Sequence, residues 1–418
     1  MISRSALLVM LLLPSGTLGG ADTPGSGPDP DALSLYVDWN EAPADFTDFL
    51  ITEIPWIACA RDRVDAGVFV LVTTQETGSG SDEYQLQFIG QHRFAGLNDT
   101  LRFVVDRDAS EDTERRQVVQ RLKLGLARFA ARTPAADEIK VSGADRAAPA
   151  APADDSWDRW VFSISLNGNL SGEKSQSLNY FWGTLTADRV TDLWKFNAAV
   201  QGTYKYNRYE IDSVTTYIDT TRSYSAWCRL VRSLGDHWAV GGGPSFRSSS
   251  YSNIDYRAGI GPGLEYSVFP YAQATTRELK CIYGIGFSYQ RYLEETIYDK
   301  TSEHLFDHSL TVSIDAKQRW GSVYLSLTWS NYLHDLTKNS LNAYVNASLQ
   351  LVRGLSFDIW GDCGLIHDQL YLSKRGLTPE EILLQIRELS SQYEYWGGFG
   401  LTYSFGSRFS RVVNPRFD

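Results

Sequence analysis

Two histidines spaced four residues apart are the nearest approach in this sequence to a metal-binding motif. On a helix, His304 and His308 would lie on one face, where two imidazoles can share a metal ion. The residues around them read instead as a loop that runs into a β-strand. At ~3.3 Å per residue, the two side chains would then be about 13 Å apart on one face of that strand. The spacing therefore predicts no metal site.

Nucleophilic catalysis would require a serine beside a histidine and an orienting amide or carboxylate. Serines occur throughout the chain, and no spacing distinguishes one of them as a nucleophile. The residues from Gly78 to Ser81 lack the lysine and the following helix of a phosphate-binding loop, so they predict a turn. We expect no enzymatic activity, no cofactor, and no catalytic, cofactor-binding or metal-binding residues. Lipid hydrolysis is the enzymatic alternative.

A group of charged residues is more informative, because its members fall at alternate positions of strand-like segments. Such residues would project into the interior of a barrel, where they either pair and fill it or line a narrow solvated path. The residues predicted to line this interior are Lys195, Lys205, Arg257, Glu265, Asp315, Lys317, Asp358 and Asp362. The pattern is compatible with a self-neutralised, closed interior and with an open pore.

The segments that carry these charges share an alternation with a period of two. In residues 194–207, the even positions are mainly apolar or aromatic and the odd positions are mainly polar, as in a strand with one apolar face. Similar segments follow one another to YWGGFGLTYSFG at residues 395–406; the least regular one lies around Leu178, Tyr180 and Trp182. We predict a mainly β fold in which residues 158–406 form an antiparallel transmembrane β-barrel of ~12 strands.

The connections between these segments give the barrel an orientation. Short connections such as residues 235–236 alternate with longer ones at residues 207–221, 291–305 and 368–392. Outer-membrane barrels have short periplasmic turns and longer outer loops, so the long connections are predicted to lie outside the cell. The last strand is expected to pair with the first, around residues 160–170, because that pairing removes both edges of the sheet.

One outer connection has a helical pattern of its own. Thr378 to Glu381 supply an N-cap, a first-turn proline and a capping-box glutamate, and apolar residues follow at helical spacing. We predict an amphipathic helix near residues 378–391. It would either cap the mouth of the barrel or contact a partner or lipid.

The first part of the chain is organised differently. Residues 1–21 combine an arginine, an apolar run and small residues, as in a cleaved secretory signal peptide. Residues 33–132 predict a small α+β domain in the order βαβββα, and the continuously apolar run Val68 to Val72 resembles a strand covered on both faces. Residues 133–157 predict an exposed Ala- and Pro-rich linker. Residues 407–418 form a C-terminal tail.

Composition excludes some classes of protein. The formal net charge of −11 argues against a nucleic-acid partner, which requires a basic surface, and no apolar run reaches the ~18 residues of a spanning helix. Aromatic residues make up 13% of the chain, a content that fits a membrane-interface girdle or a carbohydrate-binding surface. The four cysteines share no spacing, so we expect free thiols in preference to disulfides.

The second half of the chain resembles uncharacterised outer-membrane β-barrel proteins of Gram-negative bacteria. The resemblance is carried by SLGDHW at residues 233–238, YLHDLTKN at residues 332–339, DQLYLSK at residues 368–374 and the closing LTYSFGS. These proteins usually end in a phenylalanine, whereas this chain ends one residue after Phe417. The first domain is weakly similar in element order to the amino-terminal α/β domain of the periplasmic TolB family. Neither resemblance implies an activity or functional residues.

Taken together, these features predict a non-enzymatic outer-membrane barrel with its first domain in the periplasm. Its expected function is the passage or uptake of small solutes through a narrow polar lumen. The expected partners are outer-membrane lipid, the barrel assembly machinery and a periplasmic protein bound through residues 33–132. The alternatives are an envelope scaffold whose periplasmic domain binds that partner, a barrel lipid hydrolase, and a soluble multidomain β protein.

Overall fold

A computed structural model describes residues 33–39, 42–43, 46–77, 81–107, 109–137, 157–191, 193–210, 216–375, 390–405 and 409–410. Within these ranges, no helix is long and apolar enough to cross a membrane. The signal peptide predicted at residues 1–21 lies outside the described residues, as does nearly all of the helix predicted near residues 378–391. Most of the predicted linker and tail also lies outside them.

The first domain is an α+β unit, as the sequence predicts. Its elements are β1 (Leu33–Asp38), α1 (Phe46–Glu53), β2 (Ile57–Ala60), β3 (Val68–Glu76), β4 (Asp82–Gly90), β5 (Asn98–Val105) and α2 (Glu111–Ala130). The four-residue strand β2 is absent from the predicted order, because four residues are too few to establish an alternation. At the start of α2, the Ser110 side chain accepts a hydrogen bond from the amide of Thr113 at 3.3 Å, and three acidic residues occupy the first turn.

Both helices pack on one face of the small sheet. Leu50 of α1 and Leu122 and Phe129 of α2 are buried in the same core as Val70 and Phe88 of the sheet. The sheet has the order β18-β2-β1-β3-β4-β5, in which β18 is Phe409–Ser410 from the C-terminal tail. The tail therefore returns to the first domain, where Phe409 pairs with Ala60 at the sheet edge.

The second part is a single antiparallel sheet of twelve strands. The strands are β6 (Trp160–Gly172), β7 (Gln176–Val190), β8 (Trp194–Glu210), β9 (Thr216–Ser233), β10 (Trp238–Ser249), β11 (Ile254–Ser267), β12 (Arg277–Tyr292), β13 (Ser302–Gln318), β14 (Gly321–Tyr332), β15 (Asp335–Val352), β16 (Leu355–Ile366) and β17 (Tyr393–Tyr403). Each strand pairs with its neighbours in chain order. This is the topology of an up-and-down β-barrel, and it confirms the predicted fold class.

The expected pairing of the last strand with the first is not observed. Among the described residues, the backbone pairings run from β6 to β17 and none joins these two strands to each other. Both strands are also unusually exposed, with Leu166 of β6 84% exposed and Phe399 of β17 77% exposed. The two edges of the large sheet are thus open in this structure.

In two of the three connections that were predicted to be long, the adjoining strands extend into the predicted loop. Strand β8 continues to Glu210 and β9 begins at Thr216, so the connection predicted at residues 207–221 is much shorter. The connection predicted at residues 291–305 shortens in the same way, because β12 ends at Tyr292 and β13 begins at Ser302. These strand ends place polar residues such as Arg208, Glu210 and Thr220 on the otherwise apolar face, which conceals their alternation. Of the predicted long connections, the one after β16 retains its length.

The four cysteines are free thiols in the structure, as predicted.

Candidate functional site

The two faces of the large sheet have an unusual distribution of burial. Ser288 and Ser313 are 3% exposed, whereas the adjacent Phe287 and Ile314, on the opposite face, are 40% and 36% exposed. In a soluble sheet protein, apolar side chains would be the more buried set. This inversion places the small and polar side chains inside and leaves the apolar side chains facing outward.

The sheet brings the eight predicted interior residues onto one face. Cross-strand partners share a face, and the pairings link Lys195 to Val231, Val231 to Gly241 and Gly241 to Gly263, on the same side of β11 as Glu265. The same succession continues to β16. The eight residues on this polar face are Lys195, Lys205, Arg257, Glu265, Asp315, Lys317, Asp358 and Asp362.

Most of these eight residues do not form a close ion pair among the described residues. Among the described residues, Arg257 is the only one of the eight in an ion pair, with its Nη2 atom 3.3 Å from Oδ1 of Asp307. Glu265 accepts a hydrogen bond from the hydroxyl of Tyr271 at 3.0 Å. Asp362 accepts from the Asn342 amide at 3.1 Å. Close ion pairs, which include Lys280 with Glu278 on the same face, therefore account for only part of its charge.

A glycine makes the Arg257 ion pair possible. Arg257 is on β11 and Asp307 is on β13, so the pair crosses β12, where Gly286 is the cross-strand partner of Asp307. A Cβ atom at Gly286 would lie 2.6 Å from Oδ2 of Asp307. The missing side chain lets the carboxylate lie over β12, and Arg257 also donates to Ser288 Oγ at 3.1 Å.

A cavity lies over the glycine-rich centre of the polar face. Its volume is about 450 Å³, and its walls come from β9 to β13. Arg229, Glu265, Asp307 and Thr311 supply polar groups around a floor of glycines that includes Gly263. A space of this size can hold a small polar molecule.

Aromatic side chains also occupy the polar face, which the alternation did not predict. Tyr180 pairs with Lys205 and Trp182 with Thr203, so both rings lie on the polar side of β7 and stack with centroids 5.0 Å apart. The irregular second segment is explained by this arrangement, because Phe181 and the other odd positions face outward. Trp360 and Trp396 occupy the same face on β16 and β17.

One end of the large sheet, here called the loop end, is partly covered by the connection after β16. Leu370 in this connection packs with Leu305 and Tyr332. Asn253 holds the connection in place, because its Nδ2 atom donates to the carbonyl of Tyr371 at 2.9 Å. Ser373 Oγ donates to the Glu294 carboxylate at 2.6 Å.

The first domain is docked at the opposite end, here called the turn end. Asp62 Oδ2 accepts a hydrogen bond from the Gly354 amide at 2.5 Å, and Arg353 Nη2 lies 2.5 Å from Oδ2 of Asp65. Arg61 donates to the carbonyl of Phe405 at 2.8 Å. These three contacts join the segment after β2 to the turn between β15 and β16 and to the residues that follow β17.

A small polar cavity of about 90 Å³ lies between the domain and the turn end. Tyr36, Asp38 and Arg63 line it from the domain, and Lys317 and Ser348 line it from the large sheet. Burial raises the pKa of the Asp38 carboxyl, although the Arg63 guanidinium opposes this shift. Burial also raises the pKa of Tyr36, and the nearby Asp38 carboxylate adds to that effect.

The two histidines considered as metal ligands are separate strand residues. Both lie in β13, where His304 pairs with Tyr289 and His308 with Ile285. His308 Nδ1 is 3.1 Å from the Tyr283 hydroxyl, within an aromatic contact that includes Trp329. Among the described residues, no group of three or more His, Cys, Asp or Glu side chains could hold a metal ion.

The docking residues were not predicted as a site, and their own sequence offers little signal. The run Arg61 to Asp65 resembles an ordinary polar turn. A stronger signal is the continuously apolar strand β3, which predicted cover on both faces. Phe69 is 1% exposed and Leu71 is 7% exposed on the face without helices, and Leu71 lines the cavity at the turn end. The large sheet therefore helps to cover the face of β3 that does not contact the helices.

Cys59 of β2 provides a test of whether the first domain opens and exposes its core. The thiol is 7% exposed, and burial raises its pKa to about 11, with a smaller contribution from Asp48. Since the thiolate is the reactive form, about one molecule in a thousand would carry it at pH 8. We expect maleimide to leave Cys59 unmodified at pH 8 in the native protein and to modify it in denaturant, as measured by peptide mass spectrometry. Complete native labelling within minutes would show that the domain opens readily.

The strand order, the inverted burial and the polar inner face define an outer-membrane-type β-barrel as the class of this protein. Residues 164–359 match the family described as "Protein of unknown function, DUF481", which agrees with the resemblance to uncharacterised barrel proteins. No curated protein matches the chain. A solved structure titled "NanC porin structure in rhombohedral crystal form" is similar over 58% of this chain and 99% of its own, with 12% identity and a TM-score of 0.25.

Proposed function

We propose that this protein is a non-enzymatic barrel of the Gram-negative outer membrane that passes small polar solutes along its inner face. The observation that carries the proposal is the inverted burial. Exposed apolar side chains such as Ile285, 48% exposed, suit contact with lipid hydrocarbon. Outer-membrane lipid and the barrel assembly machinery are the partners that this location requires.

A solvated path fits the polar face better than a filled interior. Lys195 and Lys205 are exposed, and the other six predicted residues are half-buried. Charged groups without a close ion pair are costly to bury, so these side chains favour a hydrated face. The proposal includes closure of β6 onto β17 in the membrane, because an open edge in lipid leaves backbone groups without hydrogen bonds.

The orientation follows from the two ends of the sheet. The turn end, with the docked α+β domain, is assigned to the periplasm, and the loop end is assigned to the cell surface. Solutes would then pass between the connection after β16 at one end and the docked domain at the other.

Planar-bilayer recording of the refolded full-length protein tests this function. We expect stepwise conductance, and Gly263→Trp should lower it severalfold by filling the central cavity. The matched control is Leu264→Trp, because the adjacent side chain is on the outer face and 43% exposed. Absence of conductance steps in every salt, or equal effects of the two variants, would refute passage through this face.

An envelope scaffold is the second candidate, favoured by the free edge of the small sheet. Strand β5 ends the described sheet, and its residues alternate between exposed and less exposed. An extended segment of a periplasmic protein could add to such an edge. A photo-crosslinker at Thr100 should then capture one defined envelope protein in cells. The same group at Arg116, on the exposed surface of α2, should capture none.

A further inference from the structure

We propose that the polar face binds neutral oligosaccharides at a site built on Trp360 and Trp396. The inference rests on the proposed function, in that the site would lie along the solute path. It assigns a substrate class to that path. The supporting observations are the exposure of the two rings, the groups beside them and the sign of the local charge.

The two tryptophans offer uncovered ring surface inside the barrel. Trp360 is 43% exposed and Trp396 is 57% exposed. Trp360 pairs across the strands with Gly398, where a Cβ atom would lie 2.6 Å from Cζ2 of the ring. The glycine therefore lets the indole lie over the neighbouring strand. The apolar C–H face of a pyranose ring packs well on such a surface.

Hydrogen-bonding groups suited to sugar hydroxyls lie directly beside these rings. Asp362 is the cross-strand partner of Trp396, and the Asn342 amide donates to its carboxylate at 3.1 Å. Asp358 lies two residues before Trp360 on the same face. A carboxylate accepts hydrogen bonds, and an amide both donates and accepts, so together they match the mixed character of a hydroxyl group.

The charge of this region disfavours acidic sugars. The polar faces of β16 and β17 carry Asp358, Asp362 and Glu394, and no described residue there is basic. An anionic sugar would be repelled by these carboxylates. An organic cation would be attracted by them, but a second feature favours a longer hydroxyl-rich molecule.

That feature is a second aromatic pair on the other side of the open edge. Tyr180 and Trp182 of β7 stack on the same polar face. In the closed barrel proposed above, β6 would lie between the two aromatic pairs. Its polar-face positions include Ser163, Asn167 and Asn169. Alternating aromatic and hydroxyl or amide groups would suit successive units of an oligosaccharide, whereas a compact cation would use one ring.

Isothermal titration of the full-length protein in detergent micelles tests the proposal. The probes are neutral hexasaccharides of α-1,4-glucose, β-1,4-glucose and β-1,4-mannose, with choline and oligogalacturonate as cationic and anionic comparisons. We expect at least one neutral probe to bind, and Trp360→Ala to weaken that binding by about tenfold. Trp360→Phe should weaken it less. Trp329→Ala, at an outward-facing tryptophan that is 37% exposed, should leave it unchanged.

Several outcomes would overturn the proposal. They are no binding of any neutral probe, tighter binding of choline or oligogalacturonate, and equal affinity in the wild type and Trp360→Ala. Heat-modifiable migration in gels would confirm that each variant is folded. Titration needs no conducting pore, so binding without conductance would reject solute passage alone. Conductance without binding would reject the sugar site alone.

Discussion

Replacing Val200 with arginine should lower the free energy of unfolding by about 2–4 kcal/mol, the cost of placing Arg near the midplane of a barrel's lipid face. Val200 is near the middle of β8, where it pairs with Leu185 on one side and Ala226 on the other. Its side chain is 54% exposed on the apolar face. In the membrane that exposed surface would contact lipid chains, which cannot solvate a guanidinium group.

The adjacent position supplies the control. Gln201 is also exposed but lies on the polar face, between Thr184 and Ser225. Gln201→Arg should change stability much less, because the new charge would be hydrated. Urea unfolding of the refolded protein in lipid vesicles measures both values. Similar losses at the two positions would mean that the faces do not differ in environment, and the transmembrane assignment would then be wrong.

The large sheet was predictable because each strand repeats one simple physical pattern. Lys195 and Phe196 already fall on opposite faces by position alone, and a face that contacts lipid must remain apolar along the whole strand. The alternation fails at the strand ends, where the outward face is no longer required to be apolar. At the end of β8, Arg208 and Glu210 put polar side chains on the otherwise apolar face, so the alternation does not reveal the extension to Glu210. The alternation also cannot identify an aromatic residue on the inner face. For this reason the segment with Tyr180 and Trp182 has an irregular pattern.

The candidate site was predictable only in part, for a related reason. Charged residues such as Asp358 are conspicuous on a strand because a charge is costly on the lipid face. Trp360 carries no such signal, since an aromatic ring suits either face. The docking of the first domain could not be predicted from the sequence pattern. It depends on contacts such as Arg353 with Asp65, which are far apart in the chain, and alternation contains no information about tertiary pairs.

The contact between the domain and the turn end is specific, because it depends on a partly buried ion pair and on a carboxylate that accepts two hydrogen bonds. Arg353 is half-exposed, but Asp65 is 12% exposed, so the pair is partly removed from water. Asp62 also has two roles, since Oδ1 accepts from the Val64 amide at 3.0 Å while Oδ2 accepts from Gly354. Asp62 therefore stabilises the short turn after β2 in the conformation that contacts the large sheet. A charge change at Arg353 should disturb docking without altering the core of either part.

Arg353→Glu should therefore release the first domain. The variant replaces an attraction with a repulsion between two carboxylates, one of them that of Asp65. A loss of about 1–2 kcal/mol would raise the undocked population about 5- to 30-fold. Hydrogen exchange measured by mass spectrometry should become faster in β3 and in the turn containing Gly354. Exchange in the buried part of α2, around Leu122, should be unchanged because that core remains intact.

The reciprocal exchange separates docking from a general loss of stability. Arg353→Asp combined with Asp65→Arg restores opposite charges at the same two positions, and it should recover most of the protection that Arg353→Glu removes. In bilayer recordings, Arg353→Glu should also lengthen the open state if the docked domain narrows the mouth of the barrel at the turn end. Faster exchange with unchanged gating would confine the domain to a structural or partner-binding role. Protection that does not respond to Arg353→Glu would show that the β18 pairing and the covered face of β3 hold the domain without this ion pair.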